Sequence, residues 1–392
     1  MKRQLQNLFR SSITEKFNSY SQGVFSQLGD CHTAAMGYHS YRCEDKSCDQ
    51  NQYRYHCCGN RHCPNCGYLK REQWVEEQMS SLLPTSYYHI VFTVPEELRI
   101  YFLRDRKPMF DMLFRAGSQT LLTIAKDPKY LGGTLGITSI LHTWGQNLSF
   151  HPHIHCVVSG GGIDQNGKWI KEKRKNNQYL FPKAILQKIY KGIFLKELRA
   201  YHKEKYEGES FDSLYKQLGE KRWNVYAKAP FGGPEQVVKY LGRYSHKIAI
   251  TSHRIQAVTG SHIRFEYKDY QDNSKLKSLT LSHEEFLRRF EQHILPFRYV
   301  KIRHYGYMSP NGRVKRIEAI HRQLSLPRPM PKIKITLRQR MLELTGRDIT
   351  LCPKCQKSKL IQTDTKRRHE IVAQPISPKS IAQIDQQILI PP

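Results

Sequence analysis

Cysteines and histidines crowd residues 31–66 of this chain, among them Cys31, His39, Cys43, Cys48, Cys57, Cys58, His62, Cys63 and Cys66. No other feature restricts the fold as tightly. Cys43-x4-Cys48 and Cys63-x2-Cys66 have the spacing of paired metal ligands, and thiolates favour a borderline-soft ion such as zinc over magnesium. One tetrahedral ion can close a small domain that has little core of its own. The expected primary set is Cys43, Cys48, Cys63 and Cys66. Further donors remain, so a second Zn2+ is open, with Cys31, His39, Cys58 and His62 as its candidates. The alternative is that these are buried structural cysteines. Cys352-Pro353-Lys354-Cys355 near the other end has no partner pair after it and reads as half a site, with no metal expected there.

The 392 residues carry a formal net charge of +29, with 63 Lys and Arg against 34 Asp and Glu. Such an excess points to a polyanion, and nucleic acid is the default partner. Arg54, Arg61, Lys70 and Arg71 lie in or beside the cysteine-rich run, interleaved with Tyr53 and Tyr55. Hydrophobic residues make up 39%, which excludes a disordered chain. No apolar run of about 18 residues occurs, so no membrane-spanning helix is expected. The N-terminus lacks an apolar signal core, so a cytoplasmic location with reduced cysteines is expected.

Three regions separate by composition: a cysteine-rich domain over 1–75, an alternating strand and helix region over 76–310, and a basic, Pro-rich tail over 311–392. Tyr88–Val94, Leu135–Thr143 and Ile154–Val158 read as strands, the last stopped by Gly160-Gly161-Gly162. Residues 106–126 and 183–203 have helical spacing, as do Pro234–Tyr244 and Glu284–His293. A hairpin is expected over 262–281, turning near Asp272-Asn273. The mixture predicts an α+β fold.

His151, His153 and His155 alternate, so on a strand all three share one face. Ile154, Cys156 and Val158 take the opposite face and can bury against helices. Two such histidines can hold one divalent ion through ring nitrogens. Gln146 is the first choice for a third ligand; His151 and His142 are rivals. Tyr240 and Tyr244 stand four apart, so on a helix their hydroxyls share one face. Taken alone, such a pair reads first as aromatic packing in a core or at its rim. As nucleophiles they would store phosphodiester bond energy in a phosphotyrosine link. Arg243 and Lys247 beside them would meet neighbouring phosphates.

Several ordered motifs carry a family resemblance. They are Cys58-Gly59-Asn60-Arg61-His62-Cys63-Pro64-Asn65-Cys66, His142-Thr143-Trp144-Gly145-Gln146, His151-Pro152-His153-Ile154-His155 and Tyr240-Leu241-Gly242-Arg243-Tyr244. Later runs are Glu285–Phe290, Leu295-Pro296 and Arg303-His304-Tyr305-Gly306. From about Cys31 to Tyr307 the chain resembles the IS91-type rolling-circle transposases.

That resemblance implies a histidine-hydrophobic-histidine (HUH) nuclease domain with a central antiparallel sheet, preceded by a small zinc-binding domain. It implies a catalytic Mg2+ or Mn2+ on His153 and His155, and Tyr240 and Tyr244 as nucleophiles forming 5′-phosphotyrosine links. The expected partners are single-stranded DNA at element ends and target DNA in a bacterial cytoplasm, near the nucleoid. No G-x-x-x-x-G-K-[ST] loop occurs, so helicase and replication functions would come from the host. A plasmid replication initiator or relaxase would share the chemistry. A non-enzymatic zinc nucleic-acid-binding protein would explain the charge and cysteines alone. A carboxylate-dependent transposase would need an acidic trio, and none stands out.

Overall fold

A computed structural model describes residues 2–79, 82–173, 180–228, 230, 236–237, 248–329, 335–368 and 370. The chain forms two compact units, Met1–Cys66 with Ile333–Pro392, and Gly67–Lys332. Both mix helices with antiparallel sheets, so the expected α+β class holds.

The first unit is built on a sheet of β1 (Gly37–Cys43), β2 (Asn51–Tyr55) and, from the far end of the chain, β12 (Leu360–Arg367), in the order β12-β1-β2. β12 runs antiparallel to β1, from Gly37 opposite Arg367 to Cys43 opposite Leu360. The two helices Lys2–Phe9 and Ser19–Asp30 contribute Leu5, Leu8, Phe9, Val24, Phe25 and Leu28 as buried apolar side chains. Asn18 starts the second helix by accepting a hydrogen bond from the Ser21 N–H.

A single basic tail over 311–392 is therefore not what forms. Ile317 and Ile320 of the helix Arg313–Gln323 bury against Trp169 and Tyr307 in the second unit. β12, by contrast, completes the sheet of the first. Apolar spacing and strand pairing divide the segment where composition shows no change.

The second unit holds the larger sheet, in the order β11-β4-β5-β3-β7. Its strands are β3 (Tyr87–Thr93), β4 (Thr134–Trp144), β5 (Phe150–Ile163), β7 (Val225–Ala227) and β11 (Ile302–Gly306), with β6 (Trp169–Lys171) paired to the far end of β5. One face of β3, β4 and β5 carries Ile90, Phe92, Ile137, Leu141, Ile154, Cys156 and Val158. It joins the buried core with side chains from the helices Arg106–Lys126 and Lys183–Lys205. The first helix packs so closely that a Cβ on Gly117 would lie 2.5 Å from the Ile154 side chain.

The three glycines expected to stop β5 instead lie inside it. A Cβ at Gly161 would meet the Trp169 ring at 2.3 Å, and one at Gly162 would meet the Thr134 carbonyl at 2.5 Å. They are small because neighbours press on the strand there, not because the chain turns.

A second sheet in this unit joins β8 (Ile255–Val258), β9 (His262–Asp269) and β10 (Lys275–Ser282). Its β9–β10 hairpin turns at Asp272-Asn273 as expected, with Asn273 at a φ of 46°. Ser282 caps the following helix His283–Glu291. Of the expected helix Pro234–Tyr244, residues 236–237 are described and helical; Tyr240, Arg243, Tyr244 and Lys247 lie outside the described residues.

Candidate functional site: a histidine cluster and two cysteine clusters

β5 is flanked by β4 and β3, and register determines what surrounds its histidines. His153 lies directly opposite His142 on β4, so both side chains leave the same face. His155, two residues on, shares it. The ligand nitrogens of His142, His153 and His155 all lie within 4.8 Å of one another. The Nε2 atoms of His153 and His155 are 3.1 Å apart. Two nitrogens bound at about 2.1 Å on adjacent corners of an octahedral ion lie about 3.0 Å apart. The spacing fits a shared cation.

The other ring nitrogens are already engaged. His153 Nδ1 is 2.6 Å from the His151 carbonyl and donates to it. His155 Nδ1 is 2.8 Å from Nε2 of His89 on β3. Burial pushes the His89 imidazole down to about 4, which keeps it neutral at pH 7 and able to accept. The carbonyl contact puts the His153 proton on Nδ1 and turns its Nε2 lone pair towards the His155 Nε2.

Of the histidine candidates for a third ligand, His142 is the one brought to the pair. Gln146 sits in the turn after β4, its amide Nε2 3.4 Å from the Tyr270 hydroxyl. The His151 ring lies 5.1 Å from that of His153, tilted by 41°, and does not join the ligand group. The face also carries a small apolar patch in which Val237 buries with Tyr87, Ile140 and Val157. Sequence reading missed His89. Its only signal was a histidine on a neighbouring strand, and which strands neighbour one another is not written in local spacing.

In the first unit the cysteines regroup. Cys31, Cys58, Cys63 and Cys66 form one cluster; Cys43, Cys48, Cys352 and Cys355 form another. The expected set of Cys43, Cys48, Cys63 and Cys66 is thus divided between two clusters. His39 joins neither, because it sits on β1 about 13 Å of extended strand before Cys43 and pairs with the Thr365 hydroxyl at 2.9 Å. His62 turns to the Asn60 side chain at 3.0 Å. Cys57 is exposed and outside both clusters.

Four sulfurs bound at about 2.3 Å around a tetrahedral zinc lie about 3.8 Å apart. Cys58 and Cys66 have their sulfurs 3.7 Å apart. The backbone N–H of Cys58 points at the Cys31 sulfur and that of Asn65 at the Cys63 sulfur, each at 3.4 Å. Thiols this close split in acidity. The hydrogen bond from Cys31 holds Cys58 and Cys66 below the ordinary range, while Cys31 and Cys63 are pushed above it, chiefly by Cys58 and Cys31 respectively. A divalent cation would take the place of the shared protons.

Comparison with known proteins gives the class. A family model described as "Transposase zinc-binding domain" matches residues 1–94, and one described as "Putative transposase" matches residues 136–316. The chain is 37% identical to "Putative transposase y4qJ" of Sinorhizobium fredii, over 86% of this chain and 87% of that protein. It is 29% identical to "Transposase for insertion sequence element IS801" of Pseudomonas savastanoi pv. phaseolicola, over 78% of this chain and 74% of the relative. No solved structure matches. The chain is a DNA-processing enzyme of the transposase class with a zinc-binding domain at its head. It belongs to the IS91-type transposases. No helix among the described residues is long and apolar enough to cross a membrane.

Proposed function

We propose that this rolling-circle transposase cuts and rejoins single-stranded DNA with tyrosine nucleophiles beside a divalent metal held by His142, His153 and His155, in an HUH-type nuclease domain. The observation that carries the reading is the convergence of those three imidazoles on one sheet face. The buried Val237 on that face adds to it. Tyr240 follows Val237 by three residues, and three residues of chain span at most about 11 Å.

Mg2+ or Mn2+ bound there would polarise the scissile phosphate and balance its growing charge. The phenol oxygen of Tyr240 or Tyr244 attacks phosphorus and gives up its proton to solvent. A new O–P bond forms as the bond to the 3′ oxygen breaks, and that oxygen takes a proton to become a 3′-hydroxyl. The 5′-phosphotyrosine conserves the bond energy, so a 3′-hydroxyl of another strand can reverse the step without ATP. Two tyrosines allow a second cut before the first link is released. Arg243 and Lys247 bind flanking phosphates, and Arg61 contributes to DNA binding by the head. Cys31, Cys58, Cys63 and Cys66 hold the structural zinc. Strand separation and replication come from the host.

A nicking assay on single-stranded element ends with Mg2+ or Mn2+ tests this. The wild type is expected to form a covalent protein–DNA adduct. Replacing both Tyr240 and Tyr244 by Phe abolishes it; an adduct from that double variant would overturn the assignment. His153→Ala with His155→Ala should lose nicking while DNA binding, read by fluorescence anisotropy, persists.

A further inference from the structure

The second cysteine cluster lies partly beyond both stretches matched by the family models, because Cys352 and Cys355 fall after residue 316. Cys43 ends β1, and Cys48 follows in the turn leading to β2, closed by backbone bonds from the Cys43 N–H to the Gln50 carbonyl and from the Cys48 N–H to the Asp45 carbonyl, each 3.0 Å. Cys352 and Cys355 sit on a second tight turn, closed by the Cys352 N–H to the Ser358 carbonyl and the Gln356 N–H to the Cys352 carbonyl, each 2.9 Å. Gln356 takes a φ of 53°, the left-handed turn that ends this knuckle.

The two turns face each other. The Cys43 and Cys355 sulfurs are 3.7 Å apart, and those of Cys48 and Cys352 are 3.8 Å apart. A disulfide needs about 2.05 Å, whereas edges of a zinc tetrathiolate measure about 3.8 Å. Cys43 and Cys352 are buried, so the centre is closed to water on one side. The pairing of β1 with β12 and an ion pair of Lys354 with Asp49 bring the same two segments together.

We infer that Cys43, Cys48, Cys352 and Cys355 bind a second zinc ion, which ties the C-terminal β12 segment to the N-terminal head. The ligand is a thiophilic cation with tetrahedral preference; a donor set of four sulfurs selects against a hard ion. The centre closes a loop of about three hundred residues, so in the chain-entropy picture losing it frees the C-terminal segment and the strand it adds to β1. The inference does not depend on the catalytic reading above.

Elemental analysis of the purified full chain, with protein quantified by amino-acid analysis, should find two zinc ions per chain. Cys352→Ser with Cys355→Ser should retain one. In that double variant, trypsin should cut after Lys357, Lys359 or Lys366 at a protease dose that leaves the wild type intact. Tryptophan fluorescence serves as a folding control, since Trp74, Trp144, Trp169 and Trp223 all lie in the Gly67–Lys332 unit. One zinc in the wild type, or two in the double variant, overturns the inference. Should the variant prove insoluble, zinc X-ray absorption of the wild type decides. Two ions per chain with an average of four sulfurs each support it, and any nitrogen or oxygen ligand in that average overturns it.

Discussion

His89 stands behind His155, its Nε2 2.8 Å from the His155 Nδ1 and the two rings within 4° of parallel. On β3, His89 pairs with Val157, so it reaches His155 diagonally across the β3–β5 ladder. It holds the orientation of the His155 ring, whose Nε2 is turned to the Nε2 of His153. His89→Ala is expected to weaken Mn2+ binding about 10- to 100-fold, with DNA affinity unchanged. Mn2+ titration followed by electron paramagnetic resonance measures it, and wild-type affinity in the variant would remove His89 from the site.

Stability of the second unit should fall with acid. Burial holds His293 down to about 3, with Arg106 adding to the effect, and holds His304 down to about 4, helped by Arg313; an ordinary imidazole lies at 6.5. His293 contacts the Thr143 hydroxyl and the Leu148 carbonyl, each at 3.2 Å, and His304 contacts the Thr138 hydroxyl at 3.0 Å. Both are neutral when folded, and the unfolded chain gains their protons as pH drops below about 6.5. Their contribution is fully present above that value and is lost as pH falls towards 4 and then 3. The loss approaches about 1.4 kcal/mol per pH unit for each histidine. Urea unfolding followed by tryptophan fluorescence at pH 7.5, 6 and 5 reports it. A flat profile would contradict the burial, and His304→Gln should remove about one proton from the slope.

Gly161→Ala should destabilise the second unit by about 1–3 kcal/mol. Its added methyl would press on the Trp169 ring, with the Ile170 carbonyl 2.9 Å away on the same side. Thermal melting and a shifted Trp169 emission would register the strain. A melting point equal to that of the wild type would mean that β6 moves aside freely.

Zinc removal should act on one unit. A strong chelator is expected to lower far-UV circular dichroism and expose the head to proteolysis, because Leu5, Leu8, Phe9, Val24, Phe25 and Leu28 form a small apolar core. Tryptophan emission, which comes wholly from Gly67–Lys332, should stay in place. If it collapsed along with the head, the two units would not be folding separately.

Period-two alternation was enough to put His153 and His155 on one face and Ile154 on the other, and the structure keeps that division. Helical spacing placed the helix at 106–126, where it forms. The signal for the second cysteine cluster was also present: Cys63-Pro64-Asn65-Cys66 and Cys352-Pro353-Lys354-Cys355 repeat one pattern. It went unread because no second pair followed Cys355, and the completing pair lies about three hundred residues earlier.

The sequence by itself determined which side chains could do chemistry and on which face of a strand or turn each stands, because those follow from local period and donor type. Tertiary structure alone decided which of them meet. Cys43 joins Cys355 across 312 positions, and His142 and His89 come to the histidine strand from its two neighbours. Such meetings are set by strand pairing and register, which depend on the packing of the whole sheet and leave no trace in local spacing.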